Sequence, residues 1–304
     1  MGEFINLFCE IMNNIYMTLF VIVLALTGLT GNAATRQQMR FHCEKDTAEI
    51  NTLLQRGLKS GKTDPNALVS FYAHELLGRP YVAHTLDQTG NDEFLVIDVD
   101  EFDCTTFVET LYALARTTMS GHFSWRDYAA NLENLRYRRG VLDGYASRLH
   151  YISEWAVDNI SRGNIVEVSG DLPASKAEVK TINFMTTHRD LYPQLSDSAT
   201  CAKLRNFEIG YRNHKFEYVR KNMVGVKDVK NALLEGDIVG LVTKIEGLDV
   251  SHMGIIVKDE KGDNYLLDAS ASAGKVQVEP LALPKYLERV KTCTGLRVFR
   301  IVKQ

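Results

Sequence analysis

The sequence has no dense run of lysine or arginine, and its 35 basic residues are outnumbered by 38 acidic ones. A chain with a formal net charge of −3 lacks the electrostatic footprint of a nucleic-acid binder. Its five cysteines form no CxxC pair and no tight Cys/His cluster, so nothing has the ligand spacing of a structural zinc site. Internal repeats and low-complexity tracts are absent as well. What remains is an ordinary globular composition, 45% hydrophobic and 24% charged. At 304 residues the chain is long enough to bury a substantial core.

Long apolar runs are also scarce. That from Leu19 to Leu26 is too short for a comfortable membrane span. A second methionine, Met17, precedes it, and Gly31-Asn32-Ala33 has the small–x–small form of a signal-peptidase site. Residues 1–16 carry no Lys or Arg, which points to Met17 as the start. No cysteine stands where a lipid anchor would need one. The expectation is a signal peptide over residues 1–33 and export to a bacterial periplasm, without stable membrane insertion after cleavage. The competing reading is a retained N-terminal anchor. Cys9 leaves with the signal, so Cys43, Cys104, Cys201 and Cys293 remain.

In the mature chain, helical spacing covers Asp46–Leu58, and "TDPNALVSFYAHELLG" has Asp64 as N-cap, Pro65 at the first helical position and Gly78 as the stop. "FLVIDVD" reads as a short strand, and a Ser124-capped helix carries Trp125, Tyr128 and Leu132. The middle predicts a helix after Ser147, a strand running into a loop from Lys180, and a helix over Asp197–Phe207. From Gly236 the character changes: "GDIVGLVTK", "VSHMGIIVKD", "NYLLDASAS" and "GLRVFRIV" are apolar, β-branched runs at hairpin-like spacing. Helices followed by an antiparallel sheet make an α+β layout.

Cys104 opens the helix of "FDCTTFVETLYALA", behind the N-cap Asp103. Phe107, Val108, Leu111, Leu114 and Ala115 then form one apolar stripe. At a helix start, free N–H groups and the helix dipole stabilise a thiolate, and the same groups can hold an oxyanion. Position alone leaves Cys104 open, as nucleophile or as a small packing residue. A nucleophilic thiol needs a base, and the base an orienter. Of the eight histidines, His74 falls on a helix, while His84, His122 and His214 fall in polar loops. His252 begins a strong strand whose inward set is His252, Gly254 and Ile256. Asp268 lies on the next strand, through a turn at 261–264, where a cross-strand His–Asp pair is geometrically feasible. With Cys104 catalytic, at most one disulfide can form among the other three cysteines.

In order, "GRPYVAH", "FDCTTFVETLYALA", "GDIVGLV", "SHMGIIV" and "LLDASAS" resemble the signature segments of the NlpC-type papain-like cell-wall hydrolases. "DCTTFVE" with "YASRLHYISEW" is similar to the N-acetylmuramoyl-L-alanine amidase-like subfamily. The resemblance runs from about Ala67 to the C-terminus. It implies a papain-like domain over residues 34–304, with N-terminal helices packed on a C-terminal antiparallel sheet and subfamily insertions around 120–220. It implies Cys104 as nucleophile and His252 as base. The third role falls to Asp268, where the wider superfamily often has His, with Ser270 as competitor. Tyr81 matches a tyrosine whose hydroxyl reaches the active site, or else packs on the core.

The implied substrate is a peptidoglycan fragment, cut between N-acetylmuramic acid (the 1,6-anhydro form) and L-alanine, with no cofactor and no metal. The substrate-contacting set is Tyr81, Tyr145, Arg148, His150 and Tyr151, with Ser251 beside the histidine and Ser270 on the following strand. Among these, Tyr145, Arg148, His150 and Tyr151 are the expected partners of acetamido and lactyl groups or a peptide carboxylate. Two alternatives stay open: an endopeptidase cutting within the stem peptide, and a non-catalytic muropeptide binder.

Overall fold

The computed structural model describes residues 38–87 and 92–303. The expected signal peptide, Met17 and Cys9 lie outside the described residues. Strand β1 (Met39–Phe41) runs parallel to β2 (Leu95–Ile97) in a small two-stranded ribbon. Between them stand helices α1 (Asp46–Lys59) and α2 (Pro65–Glu75), the latter capped by the Asp64 carboxylate on the Ala67 N–H. Helix α3 (Cys104–Met119) carries the cysteine, and α4 (Trp125–Arg136) packs beside it behind its Ser124 cap.

The middle of the chain follows: α5 (Ile152–Ser161), β3 (Ile165–Glu167), β4 (Ser175–Lys180), the short α6 (Phe184–Thr187), α7 (Ser198–Gly210), β5 (His214–Arg220) and α8 (Lys227–Ala232). The C-terminal part is β6 (Ile238–Thr243), β7 (Val250–Lys258), β8 (Asn264–Ser270), β9 (Lys275–Val278), α9 (Leu283–Arg289) and β10 (Cys293–Ile301). The large sheet is antiparallel in the order β4-β5-β10-β6-β7-β8-β9, with β3 added on β10. The fold is α+β, as the run of helices before strands indicated.

Several local expectations are corrected. The helix expected after Ser147 begins at Ile152, because Tyr145–Ser147 close a 3-10 turn first. The strand expected from Lys180 ends there, and His214 opens β5 rather than sitting in a loop. Strand β5 was hidden by its charge: Lys215, Glu217 and Arg220 alternate with buried Phe216 and Val219.

Helix α3 buries its apolar stripe completely: Phe107, Val108, Leu111, Leu114 and Ala115 join the core with Met253, Ile255 and Leu267 of the sheet. Each large side chain taken out of water there contributes about 1.5–3 kcal/mol. The helix is buried almost all round, however, and not on one face. Its polar residues tolerate this because each is paired. Arg136 donates to Glu109 at 2.6 Å, Arg116 donates to the Val302 carbonyl at 3.0 Å, and Thr110 meets the Tyr128 hydroxyl at 3.2 Å. That enclosure fixes the axis of α3, and hence the place of Cys104.

The sheet buries both faces. Met253, Ile255 and Val257 of β7 pack under the helices, while Ile256 joins a second core with Leu283 and Leu287 of α9. The set His252, Gly254 and Ile256 is therefore one of two inward sets. The described cysteines are all free, and Cys201 and Cys293 are buried in separate cores. No helix among the described residues is long and apolar enough to cross a membrane.

Candidate active site

Asp103 is the cap of α3. Its Oδ1 accepts from the N–H groups of Thr105 (3.0 Å) and Thr106 (2.7 Å), and Thr106 Oγ1 accepts from the Asp103 N–H at 3.0 Å. This reciprocal box starts the helix at Cys104 and leaves the thiol half-buried at its mouth. It also changes the donor inventory expected from sequence. The second and third N–H groups of α3 are spent on Asp103, and that of Phe107 on the Asp103 carbonyl. Among the described residues, no acceptor engages the N–H of Cys104 itself.

His252 arrives from β7. The β6–β7 register pairs Leu241 with His252 but Val242 with Val250, so Ser251 is an extra residue in a bulge. Bulges re-aim the residue beside them. Ser251 is exposed and His252 is turned inward, with 20% of its side chain accessible. The His252 Nε2 bonds the Asp268 carboxylate, and the charge of Cys104 acts on the ring from the other side. With Nε2 spent, Nδ1 is the nitrogen left for the thiol. Burial pulls the imidazolium down. The charge of Cys104 and the hydrogen bond with Asp268 outweigh it and hold His252 charged up to about 10.

Gly254 makes the His–Asp contact possible. A Cβ there would stand 2.8 Å from the Leu267 carbonyl oxygen and 3.0 Å from the Asp268 Cβ. The carbonyl belongs to the sheet and cannot step aside. Gly254→Ala is expected to part β7 from β8 beside the dyad, costing about 1–3 kcal/mol of overpacking. A urea melt reads the stability loss, and the His252 imidazole signal in NMR reads the displaced contact.

Beside Cys104 opens a cavity of about 320 Å³ lined by Tyr81, Tyr145, Arg148, His150 and Tyr151. Five of the expected substrate-contacting residues are thus brought to one place. Ser251 and Ser270 are not. Ser251 is solvent-exposed in the bulge, and the Ser270 hydroxyl donates to Glu279 at 2.9 Å. Tyr81 faces the nucleophile: burial pushes its phenol up first, and the charges of Cys104 and Asp103 add to that.

The cavity residues from the middle of the chain hold their polar groups differently from the sequence expectation. Arg148 is buried with its charge already matched, at 2.6 Å from Asp87 and 3.4 Å from Glu93, and it lies over the Tyr145 ring. It is a braced wall and not a spare cation for a peptide carboxylate. Tyr151 donates to Glu208 at 2.7 Å and accepts from the Met185 N–H. His150 Nε2 lies 2.9 Å from the Tyr145 carbonyl, which can only accept, so Nε2 carries the hydrogen. Burial and then the Arg148 charge pull His150 down to about 3. A neutral ring leaves its Nδ1 as an acceptor.

Sequence reasoning missed Asp87, Met185 and Tyr192, which also line the cavity. Asp87 lies in a featureless loop and its partner Arg148 is 61 residues away, so no local pattern marks it. Two further groups, His42 with Asp98 and Glu101, and Cys43 with Asp46 and Asp100, have the ligand types and proximity to hold a cation. Neither includes a residue of the Cys–His–Asp line.

A family model described as N-acetylmuramoyl-L-alanine amidase-like matches residues 72–295. No curated protein matches. The solved structures do. A crystal structure of an N-acetylmuramoyl-L-alanine amidase from Bacteroides uniformis is 35% identical with a TM-score of 0.74, over 79% of this chain and 99% of that one. A Bacteroides fragilis protein proposed as a xylanase is 36% identical with a TM-score of 0.70, over 75% and 99%. A Legionella pneumophila protein of 18% identity and TM-score 0.63, over 84% and 95%, shares the fold. By the extent of the family match and by its likeness to the Bacteroides structures, the chain belongs to the N-acetylmuramoyl-L-alanine amidase-like family.

Proposed function

We propose that the protein is a cysteine amidase of NlpC-type, papain-like descent. It hydrolyses the amide between N-acetylmuramic acid, in the 1,6-anhydro form, and L-alanine in peptidoglycan fragments. The observation that carries this reading is the line Cys104–His252–Asp268, assembled from a helix start and two adjacent strands beside an open cavity. The family supplies the substrate class and the Bacteroides uniformis amidase the bond. Export by a signal peptide over residues 1–33 to the periplasm belongs to the same proposal, since that is where such fragments arise.

The Cys104 thiolate attacks the lactyl carbonyl, and the oxyanion takes the Cys104 N–H and the Tyr81 hydroxyl as donors. The C–N bond then breaks as His252 passes its Nδ1 proton to the departing L-alanine amine, leaving a thioester. Water gives a proton to His252 and attacks the thioester, which frees the lactyl acid and restores the thiolate and the imidazolium. Tyr81→Phe removes one oxyanion donor. A 10²- to 10³-fold lower kcat with little change in KM is expected, about the usual loss for such a donor. Steady-state kinetics on a purified muropeptide check it.

The xylanase reading of one relative finds less support. Glycoside hydrolysis needs a pair of carboxyl groups free to flank the bond. Here Asp103 caps α3, Asp87 pairs with Arg148, and Glu109 is bonded to Arg136. Mass spectrometry of digested anhydro-muropeptides tests the proposal directly. An intact stem peptide released from the sugar is the expected product, and cleavage inside the stem with the sugar still attached would overturn it.

A further inference from the structure

The line of groups behind the nucleophile does not end at Asp268. That carboxylate is 1% exposed, and one of its oxygens, Oδ2, is taken by His252. Its other oxygen, Oδ1, is buried with no conventional donor. A buried polar atom left unsatisfied costs about 1–3 kcal/mol, more for a charged group. The neighbour in reach is Glu279, just past β9, itself only 7% exposed. Its N–H donates to the Leu266 carbonyl at 2.7 Å, which pins it against β8. Its Oε1 accepts from Ser270 at 2.9 Å and from Gln277 at 3.3 Å. Asp268 pairs with Gln277 across β8 and β9, so the Glu279 side chain, two residues on and reaching Ser270 on the same face, passes beside Asp268.

Two carboxyl groups bond to each other only through a proton that one of them holds, and like charges that close do not both ionise in a buried site. The Asp268 carboxyl is pushed up, first by burial and also by Glu279, while His252 pulls it down. The imidazolium takes Asp268 Oδ2, which leaves Oδ1 as the oxygen turned toward a proton shared with Glu279. Tyr286 of α9 stands nearby. Its phenol is pushed up, first by burial and then by Asp268 and Glu279, so it adds no charge to the cluster.

We propose that Glu279 is a positioning residue of the hydrolase site: its carboxyl group shares a proton with Asp268 Oδ1 and so keeps Oδ2 on His252 Nε2. The inference rests on the reading of Cys104–His252–Asp268 as the catalytic line. Ser270, the competitor of Asp268 for the third catalytic role in the sequence, then has a different part. It does not orient the histidine; it and Gln277 orient the residue that holds Asp268.

The test compares Glu279→Gln with Glu279→Leu. Glutamine keeps a donor for Asp268 and an acceptor for Ser270, whereas leucine keeps bulk without either. Two readouts are used: kcat and KM on an anhydro-muropeptide, and the rate at which iodoacetamide alkylates Cys104 at neutral pH without substrate. Glu279→Gln is expected within threefold of wild type in both. Glu279→Leu is expected to lose tenfold or more in kcat and in alkylation rate, with KM unchanged. A Gln variant as defective as the Leu variant, or a Leu variant equal to wild type, overturns the role. Should the Leu variant fail to fold, the Gln variant decides alone: near-wild-type values support the role, and a tenfold loss overturns it. Slow alkylation of wild-type Cys104 would instead count against the catalytic line itself, so the two failures are told apart.

Discussion

Cys104→Ala is expected to abolish release of stem peptide from a muropeptide, a loss on the order of 10⁶-fold in kcat, since no other group in the cavity can form the thioester. The fold should survive. Cys104 is half-buried at a helix mouth and lies outside every core cluster, and the Asp103–Thr106 box that starts α3 does not use its side chain. The circular-dichroism melt should therefore stay close to wild type while activity disappears. A second readout tests the pairing and not just the nucleophile. In wild type, burial pulls the His252 imidazolium down and Cys104, with Asp268, holds it up to about 10. With the thiol gone, burial and Asp268 remain alone, and the NMR titration of His252 should move to lower pH. An unchanged titration would mean that the thiol and the ring do not interact.

How much of this was legible in the sequence depends on whether a residue's environment is local. The start of α3 was, because Asp103, Cys104 and the stripe from Phe107 to Ala115 are read within one segment. The strands after Gly236 were, since β-branched runs separated by turn residues carry their own signal. The near-total burial of α3 was not, because Glu109 looks like a solvated residue until Arg136, 27 positions on, is seen against it. The same holds in the cavity. Arg148 and Tyr151 looked like free recognition groups, and only Asp87, Glu93 and Glu208 show that their polar atoms already have partners. The bulge at Ser251 is a further case: its signal lies in the pairing with β6, and nothing in "VSHMG" announces it. Long-range pairing decides which polar residues are available, and single-sequence patterns do not contain it.

Asp268→Asn carries the second large expected effect, a loss on the order of 10³- to 10⁴-fold in kcat near neutral pH, the scale seen when an orienting aspartate is neutralised. Asparagine fits the space but withdraws the charge facing His252 and offers an N–H where Nε2 needs an acceptor. The pH profile separates this from a packing defect. The proposed active form needs the imidazolium, so wild-type kcat/KM should hold on its alkaline side until pH nears about 10, where His252 loses its proton. Removing the Asp268 charge and hydrogen bond leaves burial, which favours the neutral ring, less opposed. The alkaline limb of Asp268→Asn should therefore lie at clearly lower pH. Stability follows by linkage. A folded value raised from 6.5 to about 10 contributes in full below 6.5 and is lost as pH rises through about 10. Urea midpoints of wild type should decline across that window, and those of Asp268→Asn should decline less. An alkaline limb that stays in place would show that Asp268 packs beside His252 without holding its charge.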